Sequence, residues 1–219
     1  MTCIKRAGVL VAGVMGATIA AHLANAGLDV ILLDIVPKEV NDEEKAKGLT
    51  LESPQVRKRI AQDGLSGLLK MKPAPFLLKD YAQRIEVGNF EDHAHRLQEC
   101  DWVVEVVVEN MNIKKKLFSQ TVGPNMKEGA ILSTNTSGLS VNEMATALPE
   151  SVRKNFMVTH FFNPPRYMRL MEVVGCDQAD PQVVADMASF INKRLGKGIV
   201  FAKDTPNFIG NRIGVYAIF

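Results

Sequence analysis

The first 35 residues alternate apolar runs with glycines in a pattern that predicts strand, turn, helix and strand. A short apolar run at residues 9–12 precedes Gly13 and Gly16, where a chain can turn sharply and begin a helix close to its strand. Apolar residues then recur with a helical period among small alanines, and Gly27 ends this helix. The aliphatic run at residues 30–33 predicts a parallel strand that is covered on both faces.

This unit has the outline of a dinucleotide site. Backbone N–H groups at the start of the helix, together with its dipole, would accept a pyrophosphate. The candidate contacts are Gly13, Val14, Met15 and Gly16. Asp34, at the end of the second strand, would accept hydrogen bonds from ribose hydroxyls and repel a 2'-phosphate, which favours NAD over NADP. The alternative is an ordinary βαβ crossover with glycine in its turn.

One position departs from the G-x-G-x-x-G fingerprint of such sites. Val11 stands where the first glycine is expected, and a β-branched residue lacks the conformational freedom of glycine. Two interpretations stay open at this point. The turn is displaced and binds the cofactor more weakly, or the backbone passes through Val11 with a negative φ.

Strands and helices continue to alternate, so we predict an α/β fold with a doubly wound, mainly parallel sheet of the Rossmann type. Predicted strands lie at 85–87, 102–108, 130–133, 156–159, 169–174 and 199–202, and predicted helices at 91–99, 110–119, 141–148 and 180–195. Residues 36–84 are too many for an ordinary crossover. A helix start at Ser53 and Pro54 and a break at 64–67 indicate a helical hairpin that projects from the sheet.

The end of the chain predicts the beginning of another domain. Asp204, Thr205 and Pro206 form a helix-start signal, and an apolar run follows with no stop signal. Such a helix has nothing in this sequence against which to bury its apolar face. We therefore expect residues 1–204 to form a nucleotide-binding domain and residues 205–219 to begin a truncated helical domain.

Composition and charge narrow the classes of protein. The 26 basic and 24 acidic residues leave a net charge of +2, so nothing global points to nucleic acid or to a membrane surface. No stretch has the roughly 18 consecutive apolar residues that a membrane span needs, and we expect a cytoplasmic protein. Cys3, Cys100 and Cys176 are isolated, which suits a reducing compartment and argues against a metal site.

Polar residues are expected at the carboxyl edge of the sheet, where ligands bind in open α/β folds. Residues 134–137 follow one strand, and His160 closes another. Glu172 lies twelve residues after His160, in a strand that should be its neighbour. A carboxylate can orient an imidazole and stabilise its charged form, which makes a base near neutral pH. Spacing alone leaves open that His160 is a satisfied core residue.

Two other charged features need partners. Glu105 interrupts a run of valines and is expensive to bury, so it should face the crevice or find a partner. The insertion carries basic residues opposed by a single acid, Asp63. Its basic residues are Arg57, Lys58, Arg59, Lys70 and Lys72. Either this is a solvated helix face, or it is a cradle for a polyphosphate ligand.

Five motifs in order together resemble the 3-hydroxyacyl-CoA dehydrogenase family, over essentially the whole chain. They are Val-Val-Glu-Asn at 107–110 with Lys114, Ser-Thr-Asn-Thr-Ser at 133–137, His-Phe-Phe-Asn-Pro at 160–164, Leu-Met-Glu-Val at 170–173 and Lys-Asp-Thr-Pro-Asn-Phe-Ile-Gly-Asn-Arg at 203–212. The long insertion, with its Leu-Lys-Met-Lys-Pro segment, looks more like the versions in multifunctional β-oxidation enzymes. There this dehydrogenase is fused to an enoyl-CoA hydratase.

The resemblance implies an NAD-dependent oxidation of an L-3-hydroxyacyl-CoA to the 3-ketoacyl-CoA. His160 would take the hydroxyl proton while the substrate carbon delivers hydride to the nicotinamide, and Glu172 would orient His160 and stabilise its charged form. Ser137 and Asn211 would hydrogen-bond the reacting oxygen or the thioester carbonyl. A helical domain beyond this sequence would close the cleft and make a homodimer, so we expect residues 1–219 alone to turn over poorly.

The resemblance also implies binding roles. Glu109 and Lys114 match positions at the nicotinamide ribose, and Val107 and Asn135 are further candidate NAD contacts. The basic insertion matches the region that holds the CoA nucleotide. The candidate CoA residues are therefore Arg57, Lys58, Lys70 and Lys72.

Departures from the family pattern keep two alternatives open. Val11 and Val106 are bulkier than the usual residues and would crowd the dinucleotide, and Asn207 stands where glycine is common. Residues 165–167 also differ from many relatives. The alternatives are an NAD-binding module without catalysis and a dehydrogenase of a free hydroxy acid.

Overall fold

The computed structural model describes residues 4–217, so Cys3 lies outside the described residues. The first half of the chain forms β1 (Arg6–Leu10), α1 (Val14–Asn25), β2 (Asp29–Asp34), α2 (Asp42–Ala46), α3 (Pro54–Arg57), α4 (Arg59–Leu68), β3 (Ile85–Asn89), α5 (Phe90–His93) and β4 (Trp102–Glu105). The second half forms α6 (Met111–Leu117), α7 (Gly123–Asn125), β5 (Ile131–Thr134), α8 (Val141–Ala145), α9 (Glu150–Arg153), β6 (Phe156–Phe161), β7 (Leu170–Gly175), α10 (Pro181–Leu195), β8 (Gly198–Phe201) and α11 (Gly210–Tyr216). Within this range, no helix has the length and apolar character to cross a membrane.

The eight strands form one sheet in the order β3-β2-β1-β4-β5-β6-β7-β8. Neighbouring strands are parallel except for the antiparallel pair β6 and β7. This confirms the predicted α/β fold with a doubly wound, mainly parallel sheet. The strand order reverses between β1 and β4, and ligands bind beyond the carboxyl ends of the strands at such a point.

Helices cover both faces of the sheet because successive strand residues point to opposite sides. Val9 and Val104 belong to the apolar cluster that includes residues of α1 and α10. Leu10 and Val103 belong to the cluster on the other face, together with residues of α8 and a π-helical turn at Phe118–Val122. Full burial of each such side chain stabilises the fold by about 1.5–3 kcal/mol.

The insertion does not form the predicted hairpin. Helix α4 runs through Gly64 and Gly67 without a break, and it packs against α1, β2 and β3 rather than projecting from the sheet. A Cβ atom at Gly64 would lie 2.5 Å from the carbonyl oxygen of Ala12. Gly64 therefore allows α4 to approach the turn after β1, and the expected break was the wrong interpretation of this glycine.

The last helix begins at Gly210, later than the signal at Pro206 predicts. Asp204 does not cap that helix. Its carboxylate accepts hydrogen bonds from the Ser140 hydroxyl at 2.7 Å and from the first two backbone N–H groups of α8 at 3.0 Å. A residue predicted to start one helix thus satisfies the N-terminal donors of another.

The turn between β1 and α1 is built around Val11 and Gly16. Val11 has φ +80°, which rules out the alternative in which the backbone passes through this residue with a negative φ, and its N–H donates to the Leu33 carbonyl at 2.7 Å. A Cβ atom at Gly16 would lie 1.8 Å from the Val11 carbonyl oxygen, which leaves room there for glycine only. A β-branched residue with positive φ costs on the order of 1–3 kcal/mol.

We expect Val11→Gly to stabilise the protein, because it relieves the positive φ of a β-branched residue. After the added backbone entropy of glycine, the gain should be about 1 kcal/mol in the free energy of unfolding. Urea unfolding measures it. The matched control is Val87→Gly, at a partly buried position of β3, which should lose stability. An equal loss in both variants would show that Val11 is unstrained.

His22 is a buried histidine on α1. Its ring stands edge-on to Phe161 with centroids 6.4 Å apart. Burial, assisted by the charge of the neighbouring Lys197, lowers the pKa of His22 to about 4. The folded protein therefore holds His22 neutral over a pH range in which the unfolded chain binds a proton.

This lowered pKa predicts acid sensitivity. Stability should fall as pH drops from about 6.5 to about 4, because only the unfolded state gains the His22 proton there. Between pH 7 and pH 5, wild type should lose about 2 kcal/mol more than His22→Leu in urea unfolding. The control His95→Leu removes an exposed histidine and should behave like wild type. Equal losses in wild type and His22→Leu would contradict the assignment.

Candidate active site

His160 and Glu172 face each other across the antiparallel strands β6 and β7. They are direct register partners, and His160 Nδ1 lies 2.7 Å from Glu172 Oε2. His160 is 6% exposed and Glu172 is 1% exposed. The structure thus brings together the two groups that the sequence proposed as a pair. Because Nδ1 is engaged by the carboxylate, Nε2 is the ring nitrogen left to exchange a proton with a ligand.

Both oxygens of Glu172 are held. Oε1 accepts hydrogen bonds from the backbone N–H groups of Ile209 at 2.9 Å and Gly210 at 2.7 Å, where α11 begins. Phe162 packs on the imidazole, with ring centroids 4.4 Å apart. A Cβ atom at Gly210 would lie 2.7 Å from Phe162 Cζ, so glycine permits this close packing. The dyad is fixed by two strands and by the start of the last helix.

Ser137 and Asn211 are in contact, although not through the atoms expected to meet a substrate. The Asn211 amide donates to the Ser137 carbonyl oxygen at 3.0 Å. Glu109 Oε1 accepts from the Ser137 hydroxyl at 3.2 Å, from its N–H at 2.9 Å and from the Thr136 hydroxyl at 2.6 Å. Partial burial raises the pKa of Glu109, but these hydrogen bonds and the Lys114 charge outweigh it and hold the pKa below its usual value.

Glu105 finds its partner in Lys114. Strand β4 ends at Glu105, earlier than predicted, and both side chains are almost completely buried. Lys114 Nζ lies 2.8 and 3.0 Å from the two Glu105 oxygens, and the Thr134 hydroxyl donates to Oε2 at 2.5 Å. This pair was not predicted from the sequence. Its signal was that Lys114 precedes the apolar Phe118 by four residues and so lies on the inward face of its helix.

Lys114 is therefore an internal counterion as well as a candidate ribose contact. Its Nζ donates to the Val107 carbonyl at 3.3 Å and lies 3.6 Å from Glu109 Oε2. The Val107 N–H in turn donates to Glu105 at 2.6 Å. A network that is buried at Glu105 and Lys114 thus connects the end of β4 with the more exposed Glu109 and, through Glu109, with Ser137.

Asp34 and Asn135 fix backbone turns at the same edge. The Asp34 carboxylate accepts from the N–H groups of Ala12 at 2.7 Å and Ile35 at 2.6 Å. Asn135 Oδ1 accepts from the Phe161 N–H at 2.8 Å, which ties the end of β5 to β6. Neither arrangement tests a contact with NAD, and both roles stay predictions.

The predicted pyrophosphate contacts surround the start of a 12-residue helix. Gly13 precedes α1, while Val14 and Met15 are its first residues. Val106 lies beside this turn, since its Cβ would be 3.6 Å from a Cβ atom at Gly16. The N–H groups and the dipole at the start of α1 favour an anion here. Val106 narrows the space beside Gly16 at this helix start.

The four predicted CoA residues are not brought together. Arg57 forms hydrogen-bonded ion pairs with Asp92 at 2.7 and 2.9 Å and with Glu91 at 2.8 Å, so its charge is neutralised within the fold. These bonds, with one from Asn89, lower the pKa of Asp92 to about 2. Arg57 and Lys58 precede α4, and Lys70 and Lys72 follow it. A helix of ten residues separates the two ends by about 15 Å.

Lys72 borders a cavity of about 310 Å³ near the start of α1. Its walls include Val14 and Thr18 of α1, and Pro164, Arg166 and Tyr167 from the connection between β6 and β7. This connection begins directly after the strand of His160. The cavity therefore lies between the glycine turn and the segment that leads away from the dyad.

Comparison with known proteins assigns the chain to one family. The family described as "3-hydroxyacyl-CoA dehydrogenase, NAD binding domain" matches residues 6–205. A Bacillus subtilis protein named "Probable 3-hydroxyacyl-CoA dehydrogenase" is 50% identical over 98% of this chain, which spans 27% of that protein. A Deinococcus radiodurans protein of the same name is 44% identical, and the chain covers 58% of its length. The "Fatty acid oxidation complex subunit alpha" of Pseudomonas entomophila is 33% identical over 96% of this chain, or 27% of that protein.

Solved structures show the same fold. A (S)-3-hydroxybutyryl-CoA dehydrogenase from Ralstonia eutropha has 28% identity and a TM-score of 0.71 over 98% of this chain and 69% of its own. A 3-hydroxybutyryl-CoA dehydrogenase from Escherichia coli K12 has 27% identity and a TM-score of 0.71 over 96% of this chain and 40% of its own. The chain belongs to the 3-hydroxyacyl-CoA dehydrogenase family, and it is that family's NAD-binding domain.

Proposed function

We propose that this chain carries the NAD site and the proton-transfer residues of an enzyme that oxidises L-3-hydroxyacyl-CoA to 3-ketoacyl-CoA. The observation that carries the proposal is the His160–Glu172 contact of 2.7 Å at the carboxyl edge of a Rossmann-type sheet. Membership of the dehydrogenase family supports the reaction class. The runner-up, an NAD-binding module without catalysis, does not account for a buried dyad whose carboxylate is held at both oxygens.

His160 acts as the base in this proposal. Its Nε2 takes the proton of the substrate hydroxyl, and Glu172 stabilises the imidazolium that forms. When bound, NAD supplies the acceptor for the hydride that leaves the carbon bearing this hydroxyl. Because Glu172 also accepts two backbone hydrogen bonds, it stays in place while His160 changes charge.

Ser137 and Asn211 are proposed to position the substrate. The Ser137 hydroxyl is 3.2 Å from Glu109, and the Asn211 amide contacts the Ser137 backbone. Both residues therefore lie near the start of α11, whose first N–H groups hold Glu172. A rotation of the Ser137 hydroxyl would direct it to the reacting oxygen or to the thioester carbonyl. Such hydrogen bonds help by holding the reacting atoms in line.

The residues present fit NAD. Gly16 lies at the start of a helix whose N–H groups favour a pyrophosphate, and its lack of a side chain lets the Val11 backbone pass close to that helix start. The Asp34 carboxylate disfavours a 2'-phosphate at the end of β2. Proposed pyrophosphate contacts are Gly13, Val14, Met15 and Gly16, and proposed ribose or nicotinamide contacts are Val107, Glu109, Lys114 and Asn135. Lys114 would act mainly by holding Glu109, because it is buried.

For CoA, the structure favours one end of the insertion. No ion pair within residues 4–217 involves Lys70 or Lys72, whereas Arg57 is neutralised by Glu91 and Asp92. We propose that Lys70 and Lys72 contact the CoA phosphates and that Arg57 supports the fold. The alternative, a dehydrogenase of a free hydroxy acid, would need neither lysine.

The whole protein is proposed to be a cytoplasmic, multifunctional enzyme of fatty acid oxidation. The chain spans only 27% of the Bacillus and Pseudomonas relatives, one of which is named as part of a fatty acid oxidation complex. We propose fusion to an enoyl-CoA hydratase, and a homodimer made through a helical domain that begins near residue 205. A cross-linking and mass measurement on the full-length protein tests the dimer.

His160→Gln tests the base. In the full-length protein, we expect turnover of acetoacetyl-CoA with NADH to fall about 10²–10⁴-fold, because the positioned proton donor and acceptor is lost. NADH affinity, followed by its fluorescence, should not change. The control is His95→Gln at an exposed position, which should keep wild-type turnover. Unchanged turnover in His160→Gln would refute the assignment.

Charge reversal tests CoA recognition. Lys70→Glu with Lys72→Glu should raise the KM for acetoacetyl-CoA about tenfold or more, since two attractive phosphate contacts become repulsive. The KM for NADH and the kcat should stay close to wild type. Lys116→Glu, an exposed lysine outside the insertion, is the matched control. If the Lys70→Glu, Lys72→Glu double variant keeps the wild-type KM for acetoacetyl-CoA, as the control does, the proposal that this end of the insertion binds CoA is wrong.

A further inference from the structure

Lys197 is a buried lysine with no part in the proposed chemistry. It directly precedes β8 and is 2% exposed. Its ammonium donates to the carbonyl oxygens of Pro165 and, at 2.7 Å, Met168. Both acceptors lie in the prolyl loop, which we define as residues 162–169 between β6 and β7. Lys197 thus binds one loop at two points.

No carboxylate of residues 4–217 pairs with this ammonium. No ion pair within residues 4–217 involves Lys197, and its Nζ lies 5.8 Å from the centroid of the Phe161 ring. His22 on α1 is near enough for the Lys197 charge to lower its pKa, and a histidine cannot supply a negative charge to balance the ammonium. Burial lowers the pKa of Lys197 to about 8. An unpaired buried charge destabilises a fold, so stability alone does not explain this lysine.

The prolyl loop is also held on its opposite side. Arg166 Nη1 donates to the carbonyl oxygens of Ala74 at 2.6 Å and Phe76 at 2.9 Å, in the insertion. The Tyr167 hydroxyl donates to Ala74 at 3.0 Å. Between these two attachments the loop forms one wall of the 310 Å³ cavity that Lys72 and the start of α1 also border.

We propose that Lys197 is a positioning residue, whose buried ammonium fixes the prolyl loop as a preformed wall of the cleft that receives the acyl-CoA. The inference rests on the proposed dehydrogenase function. The loop begins directly after the strand of His160 and ends at the strand of Glu172, so a fixed loop presents the cavity to the dyad in one geometry. The unpaired ammonium lowers the free energy of unfolding. In return the loop is already ordered before the substrate binds.

The test is Lys197→Met in the full-length protein. Methionine has a similar length, removes the buried charge and leaves both loop carbonyls without a donor. We expect the melting temperature to be equal or higher, and the KM for acetoacetyl-CoA to rise about tenfold, because a loop without its two bonds to Lys197 must be ordered when the substrate binds. The KM for NADH should not change. A merely structural lysine would give a lower melting temperature without this split between the two KM values.

A second variant checks the other attachment. Arg166→Ala should also raise the KM for acetoacetyl-CoA, because the loop loses its bonds to the insertion. The matched control is Arg194→Ala, which removes an arginine that also donates to a backbone carbonyl, that of Ala26 at 3.1 Å, away from the loop. The control should keep the wild-type KM. The proposal is overturned if the KM rises in Arg194→Ala alone. It is also overturned if Lys197→Met and Arg166→Ala both keep the wild-type KM.

Failure of the underlying function is distinguishable. If wild type does not turn over acetoacetyl-CoA, the proposed dehydrogenase function is wrong, and hydrogen exchange still tests the attachment. Backbone amides of residues 166–169 should exchange faster in Lys197→Met than in wild type. Equal exchange rates would show that Lys197 does not fix the prolyl loop, whatever the activity.

Discussion

The antiparallel pairing of β6 and β7 is the constraint on which the candidate site depends. In a sheet whose other neighbours run parallel, this one reversal places His160 directly opposite Glu172. The same carboxylate then receives the N–H groups that begin α11. Dyad geometry and the position of the last helix are consequently set by one side chain, and a displacement of either strand would disturb both.

A second constraint is the crowding around the turn after β1. Gly16 must be glycine because the Val11 carbonyl occupies the place of its Cβ, and Gly64 must be glycine because α4 contacts Ala12. Asp34 holds the same turn through the Ala12 N–H. The strained Val11 is therefore surrounded by contacts that over-determine its conformation, which is how a sparsely populated backbone state persists.

Local patterns predicted much of this structure. The βαβ unit, Asp34 and the doubly wound sheet follow from glycine spacing and apolar period, which depend on short stretches of chain. The break at Gly64 was wrong because tertiary packing, not helix propensity, selects that glycine. The four basic residues do not form one cluster for a similar reason, since the sequence shows the charge of Arg57 but not that Asp92, 35 residues later, neutralises it. Glu105 needed a partner, yet only the fold identifies it as Lys114.

The two most buried lysines of the described chain show how charge is used differently in one domain. Lys114 is matched by Glu105, and its charge is balanced inside a network that ends at Glu109 and Ser137. Lys197 has only carbonyl oxygens, which satisfy its hydrogen bonds without balancing its charge. Replacing Lys114 by an apolar residue would thus break its network. Replacing Lys197 by an apolar residue would remove an unbalanced buried charge. The two lysines thus differ in whether a carboxylate balances the buried charge, which distinguishes the structural ion pair of Lys114 from the ammonium of Lys197 that fixes the prolyl loop.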